Sequence, residues 1–357
     1  MLPIIFIAVA IIFLYCLLIY AYSRGFENCP SYTPSNQNPS HISATILIPC
    51  RNPSEQLHIL FQQLKHQLSD NHTCEILVID DFSNNEINIE AQENCKLIQL
   101  KNHQPQLSQN KNNKKEAIAL GVSLASHEYI ICLDSDVSLS ENWWLVISNF
   151  IHDKKPKFAA GLHRYKKENN WLNDFLVLEQ DILTASSIAA LQLRIPTMCN
   201  GANMLFSKQA FVEVNGYEGL YHVNGGDDLF LYHRIYKKFP QETLYIKNLK
   251  ATVYSSAPKS ITELFNQRSR WISKTTHYEN NWVNVQGGII LAASVLSIIS
   301  IPFLPLVIMI KVLSDVFYAR KINRYYGNQC TILNLIVQSF CYPFYVLAVI
   351  FYRLREG

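Results

Sequence analysis

The chain has 357 residues, of which 49% are hydrophobic and only 17% charged, against a charged share of ~25% in a typical soluble domain. That balance excludes a disordered or fibrous chain and leaves apolar residues over for lipid. The net charge is +3, and residues 24–279 hold 25 basic against 26 acidic side chains, which speaks against nucleic-acid binding through a broadly basic surface.

No charged residue precedes Arg24, and residues 3–22 are almost wholly apolar, about the ~20 residues that cross a hydrocarbon core. A cleaved signal peptide would want a basic start and a shorter apolar run, so residues 1–23 read as a transmembrane anchor. The polar stretch 24–43, with Pro30, Pro34 and Pro39, reads as a linker. Ala44–Pro49 (ATILIP) then reads as a buried strand. Asn52 and Pro53 signal a helix start, with Asn as cap and Pro at the first helical position. Leu57, Leu60, Phe61, Leu64 and Leu68 follow at the spacing of one helix face. Glu75–Asp80 and Lys96–Leu100 read as strands, residues 114–126 as a helix with Ala117, Leu120, Gly121 and Leu124 on one face, and Glu128–Leu133 as a strand. This alternation predicts an α/β unit with a mostly parallel sheet and helices on both faces. Ligands of such sheets collect at the carboxyl ends of the strands.

The last part of the chain is again lipid-like. No charged residue lies between Glu279 and Lys311, nor between Arg324 and Arg353. As one helix, 287–318 would be ~48 Å long at ~1.5 Å per residue, long for one crossing and short for two. Pro302 and Pro305 stand where a break is expected. Segments 287–301, 303–318 and 331–352 are therefore expected, which makes 280–357 a C-terminal membrane region with two or three transmembrane segments. Arg320, Lys321 and Arg324 favour the cytoplasm, and so do Arg353 and Arg355; the two preferences conflict if every segment crosses. Arg24 and the lysines after it assign the middle of the chain to the cytoplasmic side of an inner or plasma membrane.

Three strand ends carry chemistry: Pro49-Cys50-Arg51-Asn52, Asp80-Asp81 and Asp134-Ser135-Asp136. A lone carboxylate after a strand is commonly a turn or cap residue, but acidic clusters at two strand ends of one sheet are less easily explained that way. Asp134 and Asp136 can both reach a hard cation if their turn is tight, and oxygen ligands suit Mg²⁺ or Mn²⁺. Other features read as structural. Trp143 and Trp144 suit helix packing and Cys132 a strand core, while His163, His222 and His233 show no ligand spacing and read as structural or near the pocket rim. Nine cysteines without a CxxC pair argue against a disulfide framework or a structural zinc site.

In this order, ATILIPCRNP, EILVIDDFSNN, NKKEAIALG, YIICLDSD, CNGANMLFSKQAF, GGDDLFL and QRSRW resemble the motifs of a membrane-anchored family 2 glycosyltransferase. The resemblance runs from about residue 44 to residue 271. It implies a GT-A fold (Rossmann-like, mostly parallel sheet) over 44–279, flanked by transmembrane helices, with a DxD motif at Asp134–Asp136 and a QxxRW motif at 267–271. Asp80 and Asp81 would contact the nucleotide base and ribose. Arg51 would join the donor side, with Lys114, or Lys115 beside it, near base or phosphate. Asp134 would lie near the donor sugar and ribose, and Asp136 would bind the metal. Of Asp227 and Asp228 one would be the catalytic base. The spacing to Arg234 fits the family's EDxDLxxR pattern with Asp228 in that role, Asp227 replacing the usual Glu and Phe230 the later Asp. Asn203, Gln267, Arg270 and Trp271 would border the donor and acceptor pocket, although an interface helix would also account for the Arg and Trp. GGDD is shared with GGDEF-type cyclases, but Leu229 and Phe230 break that signature.

The expected activity is an inverting, metal-dependent transfer from a nucleotide sugar, with a UDP-hexose as the expected donor, to a lipid-type or glycan acceptor. The few membrane segments favour a lipid entering from the bilayer. A processive polysaccharide synthase and a non-catalytic membrane scaffold are the alternatives.

Overall fold

The computed structural model describes residues 2–35, 42–68, 73–87, 94–109, 111–273, 280–300 and 305–356. In chain order its helices and strands are α1 (Leu2–Asn28), β1 (Ala44–Cys50), α2 (Gln56–Gln67), β2 (Glu75–Asp80), β3 (Cys95–Gln99), α3 (Leu100–His103), α4 (Lys114–Leu124), β4 (Tyr129–Leu133), β5 (Ser138–Leu139), α5 (Trp143–Lys154), β6 (Phe158–Ala160), β7 (Leu162–Tyr165), α6 (Trp171–Gln192), β8 (Asn203–Ser207), α7 (Lys208–Glu213), α8 (Asp227–Lys238), β9 (Thr243–Tyr245), β10 (Thr252–Ser255), α9 (Ile261–Ile272), α10 (Asn281–Ser300), α11 (Pro305–Tyr325) and α12 (Ile332–Glu356). They fall into two compact units. One is sheet-based and comprises Pro30–Lys166 and Met198–Ser256; the other is helical and comprises Met1–Cys29, Lys167–Thr197 and Ala257–Gly357.

In the sheet unit seven strands lie in the order β3-β2-β1-β4-β8-β6-β9, and a second sheet has the order β5-β10-β7. The pairs β3/β2, β2/β1, β1/β4 and β6/β9 are parallel, while β8 runs antiparallel to both β4 and β6. Every residue of β1 and β2 is buried, as central parallel strands covered on both faces require. Side chains alternate across a strand. Ile46 and Ile48 of β1 join Leu57, Leu60 and Leu64 of α2 and Trp143 and Ile147 of α5 in one core. Leu47 points the other way, against α4, where a Cβ on Gly121 would stand 2.2 Å from Leu47 Cδ1. Only glycine permits that approach. Trp143, Trp144 and Cys132 are buried, as expected of packing residues.

One local expectation is corrected. Asn52 does not cap a helix. It has φ 48°, its Oδ1 accepts from Asn84 N at 2.8 Å and its own N donates to Ser83 Oγ at 2.8 Å. Asn tolerates that left-handed conformation better than most residues. The link ties the β1 and β2 ends together and delays the helix to Gln56.

Among the described residues of the helical unit three helices are long and apolar enough to cross a membrane: Ile5–Asn28, Asn281–Ser300 and Ile332–Arg355. α1 continues through Asn28, so the first residues of the expected linker are helical. The expected segments 287–301 and 331–352 overlap the candidate spans in α10 and α12; 303–318 overlaps α11, which is not among the candidate spans. Pro305 opens α11, where its missing N–H costs nothing, and Pro302 lies outside the described residues. Tyr15 and Ile12 of α1 pack with Ala293 of α10, and Leu178 of α6 with Ala319 of α11 and Leu335 of α12. These contacts put 167–197 and 257–273 in the helical unit, so the expected span 44–279 is divided. α6 carries Asp174, Glu179 and Asp181 among its apolar residues, and its sequence does not mark it as a partner of membrane helices.

Candidate active site

β1, β2 and β4 run parallel and end on the same side of the sheet, which brings their C-terminal residues together. A cleft of about 310 Å³ there is lined by Pro49, Cys50, Arg51, Asp81, Asn112, Lys114, Asp134, Ser135 and Asp136. Its volume sits at the lower end of the ~300–1,000 Å³ of ligand pockets.

Each side chain has a defined hold. Asp81 is buried; it accepts from Asn113 N at 3.1 Å and from Asn113 Nδ2 at 2.8 Å, which fixes the start of α4. Asp80 accepts from Ser83 N at 2.9 Å and closes the turn after β2. Burial, then the charges of Asp80 and Asp81, push the Cys50 thiol up to about 12, so it stays protonated and inert. Arg51 lines the cleft, but its guanidinium donates to the carbonyls of Lys111, at 2.6 Å, and Gln109. It braces the loop before α4.

Lys114 is the electrostatic centre. Its Nζ lies 2.7 Å from Asp134 Oδ1 and 3.0 Å from Asp227 Oδ2, so it joins the end of β4 to the start of α8. Burial works against its charge, but the Asp134 and Asp227 carboxylates outweigh it and hold Lys114 well above the usual lysine range. Lys115 has a different task. Its buried Nζ donates to the carbonyls of Val223 and of Gly225, the latter at 2.9 Å, and clamps the loop that leads into α8. Gly226 caps α8 at φ 73°, and a Cβ there would meet Phe230 Cε2 at 2.7 Å.

Asp227 and Asp228 are the first two residues of α8, where the helix dipole favours negative charge. They diverge. Asp227 is buried against Lys114. Asp228 is half-buried, with Oδ2 accepting from Gly201 N at 3.2 Å and Oδ1 from Leu229 N at 2.8 Å. Asp228 is thus partly exposed and held by backbone N–H groups, while Asp136 is exposed. Desolvation by the cleft walls, then the neighbouring Asp134 charge, raise Asp136 above the ordinary aspartate value. A solvent-open carboxylate repelled by a second one suits a cation. Among the described residues no group of three or more His, Cys, Asp or Glu side chains is placed to hold a metal, and Mg²⁺ commonly takes one or two carboxylates and completes its shell with water and phosphate. Asp134 and Asp136 fit that donor set.

One expectation is corrected. Asn203 does not offer its amide to the cleft. It is buried; Nδ2 donates to Leu162 O at 3.1 Å and Ala251 O at 2.9 Å, and Oδ1 accepts from Trp143 Nε1 at 3.3 Å. A ligand could reach it only by breaking this set, so Asn203 is a strut between the sheets. His163 is structural, as expected. Asn200 Nδ2 donates to its Nδ1 at 3.0 Å, and its Nε2 lies 2.8 Å from Ser255 Oγ. Burial, opposed by Asp134, lowers its pKa to about 4.

Gln267, Arg270 and Trp271 belong to α9 in the helical unit. Arg270 is exposed and Trp271 partly so. Arg268, between them, went unmarked in the sequence reading. It is buried, with Nη2 2.7 Å from Glu179 Oε2 of α6. Two acidic residues, Glu179 and Asp181, between the apolar residues of LVLEQDIL were the signal available for this pair.

Residues 45–214 match the model of glycosyl transferase family 2. They form a glycosyl transferase family 2 domain. The poly-β-1,6-N-acetyl-D-glucosamine synthases of Staphylococcus aureus are 28% identical over 183 residues, 48% of this chain and 40% of theirs; the match thus spans less than half of those relatives. The mannosyltransferase PcManGT of Pyrobaculum calidifontis, solved with GDP-Man and Mn²⁺, superposes with a TM-score of 0.56 at 13% identity, over 95% of this chain and 98% of that one. At that identity the likeness is one of fold, and the sheet unit has the GT-A fold.

Proposed function

We propose that this chain is an inverting glycosyltransferase that moves a sugar from a nucleotide donor to a lipid-type acceptor at the membrane. The observation that carries the reading is the Lys114 bridge. It ties Asp134, in the cleft, to Asp227, at the start of α8, and leaves the neighbouring Asp228 and Asp136 outside the ion pairs it makes. Asp81, Asn112 and Lys114 form a wall suited to the base, ribose and phosphate of a nucleoside diphosphate sugar, with a UDP-hexose as the favoured donor. Asp228 takes the proton of the acceptor hydroxyl, whose oxygen attacks the anomeric carbon from the face opposite the leaving diphosphate. Asp227, held by Lys114, keeps the start of α8 in register. Asp134 and Asp136 would hold Mg²⁺ or Mn²⁺, which supplies charge neutralisation for the departing diphosphate. The Mn²⁺ in the PcManGT complex supports that assignment. Three helices suited to a bilayer support a membrane acceptor, and Arg24 with the lysines beyond it supports a cytoplasmic catalytic side.

The staphylococcal relatives favour a second reading, a processive polysaccharide synthase. The nature of the product separates the two. Detergent-purified protein is incubated with radiolabelled UDP- and GDP-sugars, Mg²⁺ or Mn²⁺ and a total lipid extract. Label in an organic-soluble product supports the lipid acceptor, and a long water-soluble polymer replaces it with the synthase. Binding of no nucleotide sugar in the panel would sink both and leave the scaffold.

A further inference from the structure

We infer that Arg268, at a variable position of the QxxRW motif, is the positioning residue that orients two of the motif's three named side chains. The inference rests on the reading above, in which that motif serves the sugar-transfer site. The observations lie within the helical unit. Arg268 Nη1 donates to Gln267 Oε1 at 2.7 Å. Its guanidinium carbon lies 4.0 Å from the centre of the Trp271 ring, the stacked geometry in which a guanidinium and an indole attract. From below, Nη2 donates to Glu179 Oε2 at 2.7 Å and Nε to Tyr345 Oη at 2.9 Å. Arg268 and Glu179 are only 6% and 4% exposed, so the fork is fixed by the buried Glu179 of α6 and the half-buried Tyr345 of α12, and its flat face is left to Trp271.

Arginine is required for this arrangement. Its planar fork can donate in three directions while one face stacks, whereas a lysine ammonium supplies charge without the plane. Residues 268 and 271 stand one helical turn apart on the same side of α9, which lets the buried cation set the tilt of the partly exposed indole. Arg270 is exposed and free of that constraint. Arg268 thus acts through Gln267 and Trp271 and touches no reacting group.

The test uses the full-length protein in detergent with Arg268→Lys, Glu179→Gln, Trp271→Phe and the pairwise combinations, labelled with 5-fluorotryptophan. The ¹⁹F signal of Trp271, assigned by its loss in Trp271→Phe, is expected to shift in Arg268→Lys and Glu179→Gln, with the other tryptophan signals unmoved. In transfer assays Arg268→Lys is expected to lower kcat/KM about tenfold, and to cost little more once Trp271 is Phe. An unmoved Trp271 signal overturns the inference, as does a loss that multiplies unchanged in the Trp271→Phe background. If the wild type shows no transfer with any donor, the enzymatic reading fails, and the ¹⁹F signal still decides whether Arg268 holds Trp271.

Discussion

Replacing Lys114 by Met removes one cation from between two carboxylates while keeping the length of the side chain. At an effective dielectric of ~20, contacts of 2.7 and 3.0 Å correspond to gross attractions of about 6 and 5.5 kcal/mol. Desolvation of Lys114 and Asp227 offsets most of each, and solvent around the more open Asp134 trims its share further. The net effect of deleting one member of such a buried set is on the order of 3–5 kcal/mol. Only part of that falls on folding, because Asp134 can turn to solvent. The remainder falls on the geometry that α8 and β4 share. We expect Lys114→Met to lower kcat/KM by ~10²–10³-fold, and Lys114→Arg, which restores charge but not shape, to recover only part. Because its carboxylate partners hold Lys114 well above the usual lysine range, it stays charged across neutral and mildly alkaline pH, and the Lys114→Met deficit should be constant from pH 6 to 9. The assay is initial-rate transfer of labelled sugar across that range, with melting temperature in parallel. A variant within twofold of wild type, or a deficit that vanishes at one end of the range, would refute the bridge as an organising contact.

Asp228→Asn should cut kcat by ~10²–10⁴-fold with donor affinity within about threefold, whereas Asp227→Asn should also lower the melting temperature; equal and small effects of the two on kcat would contradict the division of roles. His163 is held neutral, with a folded pKa of about 4 against an ordinary ~6.5. Between those values the unfolded chain binds the extra proton and the folded one does not, so stability is complete above pH 6.5 and declines as pH falls toward 4, by on the order of 3 kcal/mol. His163→Gln should flatten that part of the melting profile, and an unchanged slope would exclude His163 as its source. In the helical unit Lys311 Nζ lies 2.6 Å from Asp315 Oδ2, and the same carboxylate accepts from Tyr15 at 2.8 Å and Ser339 at 2.6 Å. Lys311→Met should cost about 3–5 kcal/mol, and Lys311→Met with Asp315→Leu should return most of it, as read by thermal aggregation in detergent; equal losses in single and double variants would contradict a paired charge.

The strand ends were legible because two signals coincide there. β1, β2 and β4 are short apolar runs, and each stops at a cluster of polar residues, which is how buried parallel strands terminate at a ligand face. The helix carrying Lys114 was legible from its apolar face. What the sequence concealed depends on partners distant in the chain. Nothing local distinguishes Lys114 from Lys115, and their separate roles follow from Asp134 and Asp227 on one side and the carbonyls of Val223 and Gly225 on the other. Asn203 stands in a motif that borders the site, but Leu162 and Ala251, brought close by β7 and β10, bind its amide. Asn52 was read as a cap from composition, whereas its left-handed backbone is fixed by residues 83 and 84. α6 was assigned to the catalytic domain by its place between two motifs. Its buried Glu179 and Leu178 side chains instead find partners on α9, α11 and α12.

The central claim is that the cleft at the ends of β1, β2 and β4 serves sugar transfer, with Asp228 of the adjoining α8 as base. The most direct measurement is single-turnover transfer of labelled sugar from the donor that binds best, using wild type, Asp228→Asn and Asp136→Asn at equal donor occupancy. The account predicts that Asp228→Asn binds donor and forms no product on the wild-type timescale, and that Asp136→Asn fails at any concentration of divalent cation that sustains the wild type. Product formation by Asp228→Asn at the wild-type rate would contradict it.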